Sequence, residues 1–171
     1  MTSIIVNDAS CLIDLKKGRL LHALIALPYR FIVPLPIRQS ELLDFTPQEW
    51  RMLEDGGWQT FDLPPDVMTK AFTIGAQYGR LSPNDCFCLA TTMAHDEATL
   101  LTGDNLLRRA AQEHAVAVHG VLWIIDLLAD SRSCEADLLI EALECWRDDR
   151  TVFLPPDEID RRLRSLRKRL R

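Results

Sequence analysis

Short runs of apolar residues alternate along the chain with longer segments that place apolar residues at helical spacing. The short runs are rich in β-branched and aliphatic residues, which is typical of strands buried on both faces of a sheet. Because strands that alternate with helices build layered sheets, the pattern predicts an α/β fold with a mainly parallel sheet flanked by helices. The predicted strands are Ile4–Val6, Phe31–Val33, Thr99–Thr102 and Ala115–His119, with a short edge strand within Trp58–Leu63.

The helices are predicted from capping signals and apolar spacing. Ser10 is expected to cap a helix that begins near Cys11, and an apolar helix is expected over Leu20–Leu27. Thr46 and Ser82 each open a capping box, because an acid follows three residues later. The other helices predicted before residue 130 cover Ile37–Leu43, Asp66–Tyr78, Leu106–His114 and Val121–Leu128.

The C-terminal part of the chain is predicted to be a helical extension. Residues 131–133, with the sequence Ser-Arg-Ser, have the composition of a linker, so we divide the chain into domains at 1–132 and 133–171. Two helices follow, from Glu135 to about Asp148 and from Asp157 to the end. The second helix has one apolar stripe, made by Ile159, Leu163, Leu166 and Leu170.

Charge is distributed unevenly along the 171 residues. The net charge is −5, from 20 Lys and Arg residues against 25 Asp and Glu residues. Residues 161–171 hold seven of the basic residues and no acid, so 13 basic and 25 acidic residues, a net charge of −12, remain elsewhere. Because an acidic body repels phosphate, the basic tail is our candidate for RNA contact. Its basic residues are Arg161, Arg162, Arg164, Arg167, Lys168, Arg169 and Arg171.

The tail also has two other interpretations. Its helix could be an ordinary solvated helix that packs on its own domain. It could instead dock on an acidic partner, such as an antitoxin or a second copy of the chain. All three alternatives are compatible with the pattern of apolar and basic residues.

Composition favours a cytoplasmic globular protein. Hydrophobic residues make up 47% and charged residues 26% of the chain, an ordinary globular balance. No apolar run is long enough for a membrane helix, and no basic region precedes the first apolar run, so we expect neither a membrane span nor a signal peptide. Five cysteines without zinc-binding spacing favour a reducing compartment.

Four acids are candidates for a common site. Asp8 follows the first predicted strand directly, and Asp104 follows the strand that ends at Thr102. Asp85 lies in the first turn of a predicted helix, and Glu41 lies on the helix after the second strand. Because ligands of open parallel sheets bind at the carboxyl ends of the strands, we expect these four acids to meet at one rim.

Several carboxylates at close range favour binding of a divalent cation, because like charges otherwise repel one another. Mg²⁺ and Mn²⁺ prefer hard oxygen ligands, and two such ions about 3.5–4 Å apart can promote hydrolysis of a phosphodiester. The sequence has neither a Cys/His metal cluster nor a glycine-rich phosphate loop to suggest another chemistry. The acids therefore predict a Mg²⁺ or Mn²⁺ site.

Each acid also has a structural explanation when it is considered alone. Asp85 can complete the capping box of its helix, and Asp104 can be an ordinary N-cap. Glu41 can be a solvated helix residue, with Asp44 as a rival acid on the same helix face. Asp8 is the hardest to explain in this way, because it directly follows a buried strand.

Taken together, four segments resemble the PIN-domain family, the metal-dependent ribonuclease fold found in VapC-type toxins. The segments cover most of residues 3–128. The resemblance implies a parallel sheet flanked by helices, one or two Mg²⁺ or Mn²⁺ ions, and endonucleolytic hydrolysis of RNA by metal-activated water. The segments are IIVNDASCLIDL around Asp8, PIRQSELL around Glu41, GRLSPNDCFCLATTMA around Asp85, and LLTGDNLL around Asp104.

The resemblance assigns metal binding and catalysis to the four acids. Ser10 and Thr102 match polar positions that commonly support such sites. Many relatives carry a further acid shortly after the position of Asp104, whereas this chain has Asn105, whose amide oxygen could serve instead. The implied partners are an RNA substrate, an antitoxin protein and a second copy of the chain in a homodimer, as expected for the toxin component of a type II toxin–antitoxin pair.

Three rival functions remain to be compared. A non-catalytic PIN-like interaction module is disfavoured because all four acids are present. A DNA-specific or structure-specific nuclease of the same fold differs only in its substrate. A haloacid-dehalogenase-like phosphatase would need a second aspartate two residues after Asp8, and Ser10 occupies that position.

Overall fold

The computed structural model describes residues 3–170. Within them, five strands form one sheet in the order β3-β2-β1-β4-β5, and every neighbouring pair of strands is parallel. This sheet, with helices flanking it, confirms the predicted α/β fold. The strands are β1 (Ile4–Asn7), β2 (Arg30–Pro34), β3 (Gln59–Phe61), β4 (Thr99–Leu101) and β5 (Ala117–His119).

Ten helices are present within residues 3–170. The predicted capping boxes are confirmed: Thr46 caps the helix that carries Glu49, and Ser82 caps the helix that carries Asp85. No helix among the described residues combines the length and the apolar character needed to cross a membrane. The helices are α1 (Ala9–Lys17), α2 (Leu21–Leu24), α3 (Leu35–Ser40), α4 (Pro47–Asp55), α5 (Pro65–Gln77), α6 (Pro83–Met93), α7 (Asn105–Glu113), α8 (Val121–Ser131), α9 (Ala136–Asp148) and α10 (Pro156–Arg169).

The strand β1 lies at the centre of the sheet and is the point where the strand order reverses. The chain first adds β2 and β3 on one side of β1 and then returns to add β4 and β5 on the other side. Ile5 and Val6 are completely buried, as expected for a strand covered on both faces. The crevice beyond the carboxyl ends of β1 and β4 is therefore the place where a ligand site is expected.

The chain folds as two compact units. The first contains the described residues up to Cys11 together with Pro28–Gly120, and it holds the whole sheet. The second contains Leu12–Leu27 and the residues from Val121 onward. The second unit thus takes in α2 and α8 as well as the predicted extension, and the predicted domain boundary at residue 132 stays a prediction.

The prediction that Ser10 caps the first helix was wrong. The helix α1 begins at Ala9, because the Asp8 carboxylate accepts a hydrogen bond from the Ala9 N–H at 2.8 Å. Ser10 is therefore the second residue of α1, and its hydroxyl points back to Asp8. Asp8 thus directly precedes the helix and accepts its first N–H.

Two predicted helices are shorter than expected. The helix α3 ends at Ser40, so Glu41 does not lie on it; the backbone leaves the helical region at Glu41, whose φ is −120°. The apolar helix expected over Leu20–Leu27 is reduced to α2. From Ile25 to Leu27 the N–H groups bond to carbonyls three residues back, in tight turns that end before Pro28.

Candidate functional site

The candidate site is built around Asp8, at the carboxyl end of the central strand. Its backbone N–H donates to the Leu101 carbonyl at 3.0 Å, which holds the end of β1 against β4. Its side chain is 5% exposed. Oδ2 accepts hydrogen bonds from the Ser10 hydroxyl at 2.9 Å and the Thr102 hydroxyl at 2.8 Å. Three donors, counting the Ala9 N–H, therefore fix the orientation of one buried carboxylate.

Two further acids act on Asp8 through space. Burial is the main reason why the pKa of Asp8 rises to about 6, while its hydrogen bonds to Thr102 and Ser10 act in the opposite direction. Negative charges on Asp85 and Glu41 raise the same pKa. The pKa of the buried Cys88 thiol is also raised, first by burial and then by these three acids. The structure therefore brings Asp8, Glu41 and Asp85 into one electrostatic cluster.

Asp104 is connected to Asp8 through Thr102. The Thr102 hydroxyl donates to Asp8 and accepts the Asp104 N–H at 3.0 Å. Asp104 is the N-cap of α7, since its Oδ1 accepts the Leu107 N–H at 2.8 Å. It thus lies at the same sheet edge, linked to Asp8 by hydrogen bonds.

Ser10 and Thr102 hold the two strand ends together. The Ser10 oxygen accepts the Gly103 N–H at 3.1 Å while its hydroxyl hydrogen goes to Asp8. The Thr102 N–H donates to the His119 carbonyl at 3.0 Å, which extends the network to the end of β5. These contacts suit the supporting role predicted for both residues. Asn105 is the first residue of α7 and is exposed, and its predicted part in the site stays a prediction.

Glu41 is placed by a residue that the sequence reasoning missed. The Asn84 amide donates to Glu41 Oε1 and, at 2.9 Å, to the Ser40 hydroxyl oxygen. Asn84 precedes Asp85 in the first turn of α6, so this amide fastens Glu41 beside the segment that carries Asp85. The signal was visible in the motif Ser-Pro-Asn-Asp, where a second polar side chain follows the helix-starting proline.

Glu41, Asp85 and Asp104, which we call the outer acids, each have one oxygen that accepts a hydrogen bond from the protein. The Ser82 N–H donates to Asp85 Oδ2 at 2.8 Å, and Glu41 and Asp104 are held through Asn84 and the Leu107 N–H. The second oxygen of each accepts no hydrogen bond from residues 3–170. Such acids are oriented by one oxygen and keep the other available to a ligand.

The donor set matches a hard divalent cation in chemical type. All four acids offer carboxylate oxygens, the ligands that Mg²⁺ and Mn²⁺ prefer. Within the described part of the chain, however, no group of three or more His, Cys, Asp or Glu residues is close enough to form a ready-made metal cluster. Mg²⁺ commonly takes only one or two protein carboxylates and keeps several waters, so the residues fit the ion in this open form.

The basic tail is largely engaged by acids of its own unit. Four of its seven predicted RNA-contact residues form ion pairs, and the Arg162 guanidinium reaches both Asp126 at 2.6 Å and Glu158 at 2.8 Å. Arg164 and Lys168 have no ion pair within residues 3–170, and Arg171 lies outside the described residues. RNA binding by the tail stays a prediction. The other pairs are Arg161–Glu158, Arg167–Glu144 and Arg169–Asp130.

A protein-family model described as a PIN domain matches residues 4–168. This match continues well beyond residue 128 and includes α8, α9 and all but the last residue of α10. No curated protein matches the chain.

Proposed function

Because the chain belongs to the PIN-domain family, whose members are typically nucleases, we propose that it is a divalent-metal-dependent endoribonuclease. The observation that carries the proposal is the electrostatic cluster of Asp8, Glu41 and Asp85 at the carboxyl end of the central strand. The charges of Asp85 and Glu41 raise the pKa of Asp8. A cation bound at this position would offset that repulsion.

The proposed metal-binding acids are Asp8, Glu41, Asp85 and Asp104, which would share one or two ions, each ion bound directly by one or two of the carboxylates. When bound, Mg²⁺ or Mn²⁺ supplies positive charge that stabilises the negative charge developing on the phosphate during hydrolysis. Ser10 and Thr102 keep Asp8 oriented, because both hydroxyl groups donate to its Oδ2. Asn84 restrains Glu41, and the capping box restrains Asp85, so two of the outer acids need little reordering.

The decisive experiment is a cleavage assay with the full chain and a substrate panel. Single-stranded RNA, single-stranded DNA and duplex DNA would each be incubated with Mn²⁺, with Mg²⁺ or with a chelator. We expect metal-dependent cleavage of RNA, loss of cleavage in Asp8→Asn, and normal cleavage in Asp66→Asn, which removes an exposed acid from the first turn of α5. Circular dichroism would show that both variants are folded.

The panel also decides between the proposal and its rivals. Equal activity of the wild-type protein and Asp8→Asn would refute the assignment of the site. Cleavage of DNA alone would identify a nuclease of different specificity. Calorimetric titration that detects no Mn²⁺ binding, together with no cleavage of any substrate, would identify a non-catalytic interaction module.

We propose further, from the resemblance of the four segments, that the chain is a homodimeric toxin controlled by an antitoxin protein. Its induced expression in bacteria should then arrest growth, while expression of Asp8→Asn to the same level should not. Light scattering of the purified protein measures the dimer directly. Normal growth on expression of the wild-type protein would contradict the toxin role without affecting the nuclease assignment.

A further inference from the structure

A concave surface lies in the same compact unit as the four acids. The pocket has a volume of about 280 Å³ and is formed by the turn at residues 78–81 and one face of α7. The turn leads directly to Ser82, the cap that holds Asp85, and α7 begins directly after Asp104. The pocket therefore borders both segments that carry outer acids of the candidate site.

The face of α7 that lines the pocket runs along the whole helix. It presents Leu106, Arg109, Ala110 and Glu113, which have the spacing of one helical stripe. Leu106 and Glu113 are separated by seven residues, or about 10 Å at 1.5 Å per residue.

The lining combines an aromatic ring with apolar side chains. Tyr78, Leu81 and Leu106 line the pocket. The Tyr78 ring is held in place, because its hydroxyl donates to Glu113 Oε2 at 2.7 Å and its edge packs against His114 with the ring centres 5.8 Å apart. A fixed aromatic ring beside apolar side chains is the kind of surface on which a nucleobase stacks.

Two arginines in the pocket have no partner. Arg80 and Arg109 both line it and both are exposed, and neither forms a hydrogen bond or an ion pair within residues 3–170. Elsewhere in the same unit, Arg38 pairs with Glu54 and Arg108 donates to the Thr102 carbonyl. Glu113 also lines the pocket, but its carboxylate accepts the Tyr78 hydroxyl and forms no ion pair with either arginine within residues 3–170. Two arginines against one acid leave the pocket with a net positive charge, which is complementary to phosphate.

We propose that this pocket binds one nucleotide of the single-stranded RNA substrate. The base lies against Tyr78, Leu81 and Leu106, and a neighbouring phosphate is bound by Arg80 and Arg109. The inference rests on the proposed function in one respect, because it takes RNA as the ligand. It moves the main RNA contact from the basic tail, where most charges are paired, to a surface adjoining the acids.

The test measures RNA binding without cleavage. A fluorescently labelled single-stranded RNA of eight nucleotides would be titrated with the full chain in a chelating buffer, and the Kd would be determined by anisotropy at several salt concentrations. The double variant Arg80→Gln/Arg109→Gln should bind at least tenfold more weakly. Its salt slope should fall by about 0.7, since one phosphate contact to a single strand contributes about 0.7.

A matched variant controls for the loss of charge. Arg30→Gln/Arg51→Gln removes two exposed arginines of the same unit that do not line the pocket, and its Kd should stay within twofold of the wild-type value. Tyr78→Leu should weaken binding at least fivefold, whereas Tyr78→Phe, which keeps the ring, should change it less than twofold. Thermal unfolding would verify that every variant is folded.

Three results would overturn the inference. These are an unchanged Kd and slope in Arg80→Gln/Arg109→Gln, an equal loss in the matched double variant, and no RNA binding by the wild-type chain. Unchanged binding in Tyr78→Leu would overturn the placement of the base. RNA binding that depends on the two arginines, without any metal-dependent cleavage, would support the pocket and refute the ribonuclease proposal. Metal-dependent cleavage of RNA, with normal RNA binding by Arg80→Gln/Arg109→Gln, would support the ribonuclease proposal and refute the pocket.

Discussion

The Thr102 hydroxyl donates a hydrogen bond to the Asp8 carboxylate at 2.8 Å and joins the ends of two neighbouring parallel strands. The same oxygen accepts the backbone N–H of Asp104 at 3.0 Å. One buried side chain thereby links the acid of the central strand to the acid that caps α7. Its loss would affect both acids together, because no other side chain within residues 3–170 bonds to both.

Replacing Thr102 tests this link through protein stability. Thr102→Val keeps the shape of the side chain but leaves Asp8 with one donor fewer and the Asp104 N–H without its acceptor. We expect the free energy of unfolding in urea to fall by about 1–3 kcal/mol. Thr102→Ser keeps the hydroxyl and should lose less. A loss in Thr102→Ser as large as that in Thr102→Val would contradict the larger contribution expected of the hydroxyl.

Asp14 should make the protein less stable as the pH rises. Burial, and then the charge of Asp149, raises the pKa of Asp14 to about 6, although Lys17 acts in the opposite direction. The folded protein then binds the Asp14 proton more tightly than the unfolded chain, whose value is near 3.8. Stability is therefore lost as the pH increases from about 4 to about 6. The buried Asp8 contributes in the same sense.

The variant Asp14→Asn removes the Asp14 contribution. At pH 7.5, in a chelating buffer, its free energy of unfolding should exceed that of the wild-type protein by about 1–2 kcal/mol, and the difference should shrink towards pH 4. Part of the pH dependence should persist because of Asp8. The exposed Asp62 offers the control Asp62→Asn, which should follow the wild-type curve. A constant difference at all pH values would contradict the titration of Asp14.

Asn84 should influence metal binding, because it holds Glu41 beside the segment of Asp85. Residues that orient metal ligands typically change metal affinity 10–100-fold when they are replaced. We expect Asn84→Ala to weaken Mn²⁺ binding at least tenfold in a calorimetric titration. Gln112→Ala, on the exposed face of α7, should bind Mn²⁺ normally. Normal binding by Asn84→Ala would mean that Glu41 needs no support from this amide.

Gly18 should tolerate no side chain. A Cβ atom at this position would lie 3.0 Å from a ring atom of Trp146 and 3.1 Å from Cβ of Ala142. Gly18→Ala should therefore reduce the free energy of unfolding by about 1–3 kcal/mol. Gly79→Ala is the matched substitution, since nothing lies within 4 Å of its added Cβ, and it should be nearly neutral. Similar denaturation midpoints for the two variants would disprove the tight packing at Gly18.

The parts of the site that could be predicted from sequence are those fixed by local signals. Asp8 ends a buried strand, and Asp85 and Asp104 follow recognisable helix starts, so their surroundings depend on neighbouring residues. Glu41 was expected on a helix but lies after it, because the end of α3 depends on where the chain turns. Its contact with Asn84 joins residues 43 positions apart, which no local pattern reveals.

The same distinction explains the tail and the pocket. The apolar stripe of α10 was visible in its sequence, and Ile159, Leu163 and Leu166 are buried as expected. The pairing of Arg162 with Asp126 depends on how two helices pack, and it spans 36 residues. The pocket beside α7 was missed for a similar reason: Arg80 and Arg109 belong to different elements that only folding brings together.

The second compact unit is assembled from two separate stretches of chain, and this affects the protein while it is being made. The Trp146 indole donates to the Asp14 carbonyl at 2.7 Å, across 132 residues. At about 5–20 residues per second, a ribosome would finish Trp146 roughly 7–26 s after Asp14. Leu12 and Leu15 belong to that unit and are fully buried in the finished protein. The later helices of the unit are synthesised long after these two residues. The second unit can therefore be completed only after α9, which carries Trp146, has been synthesised.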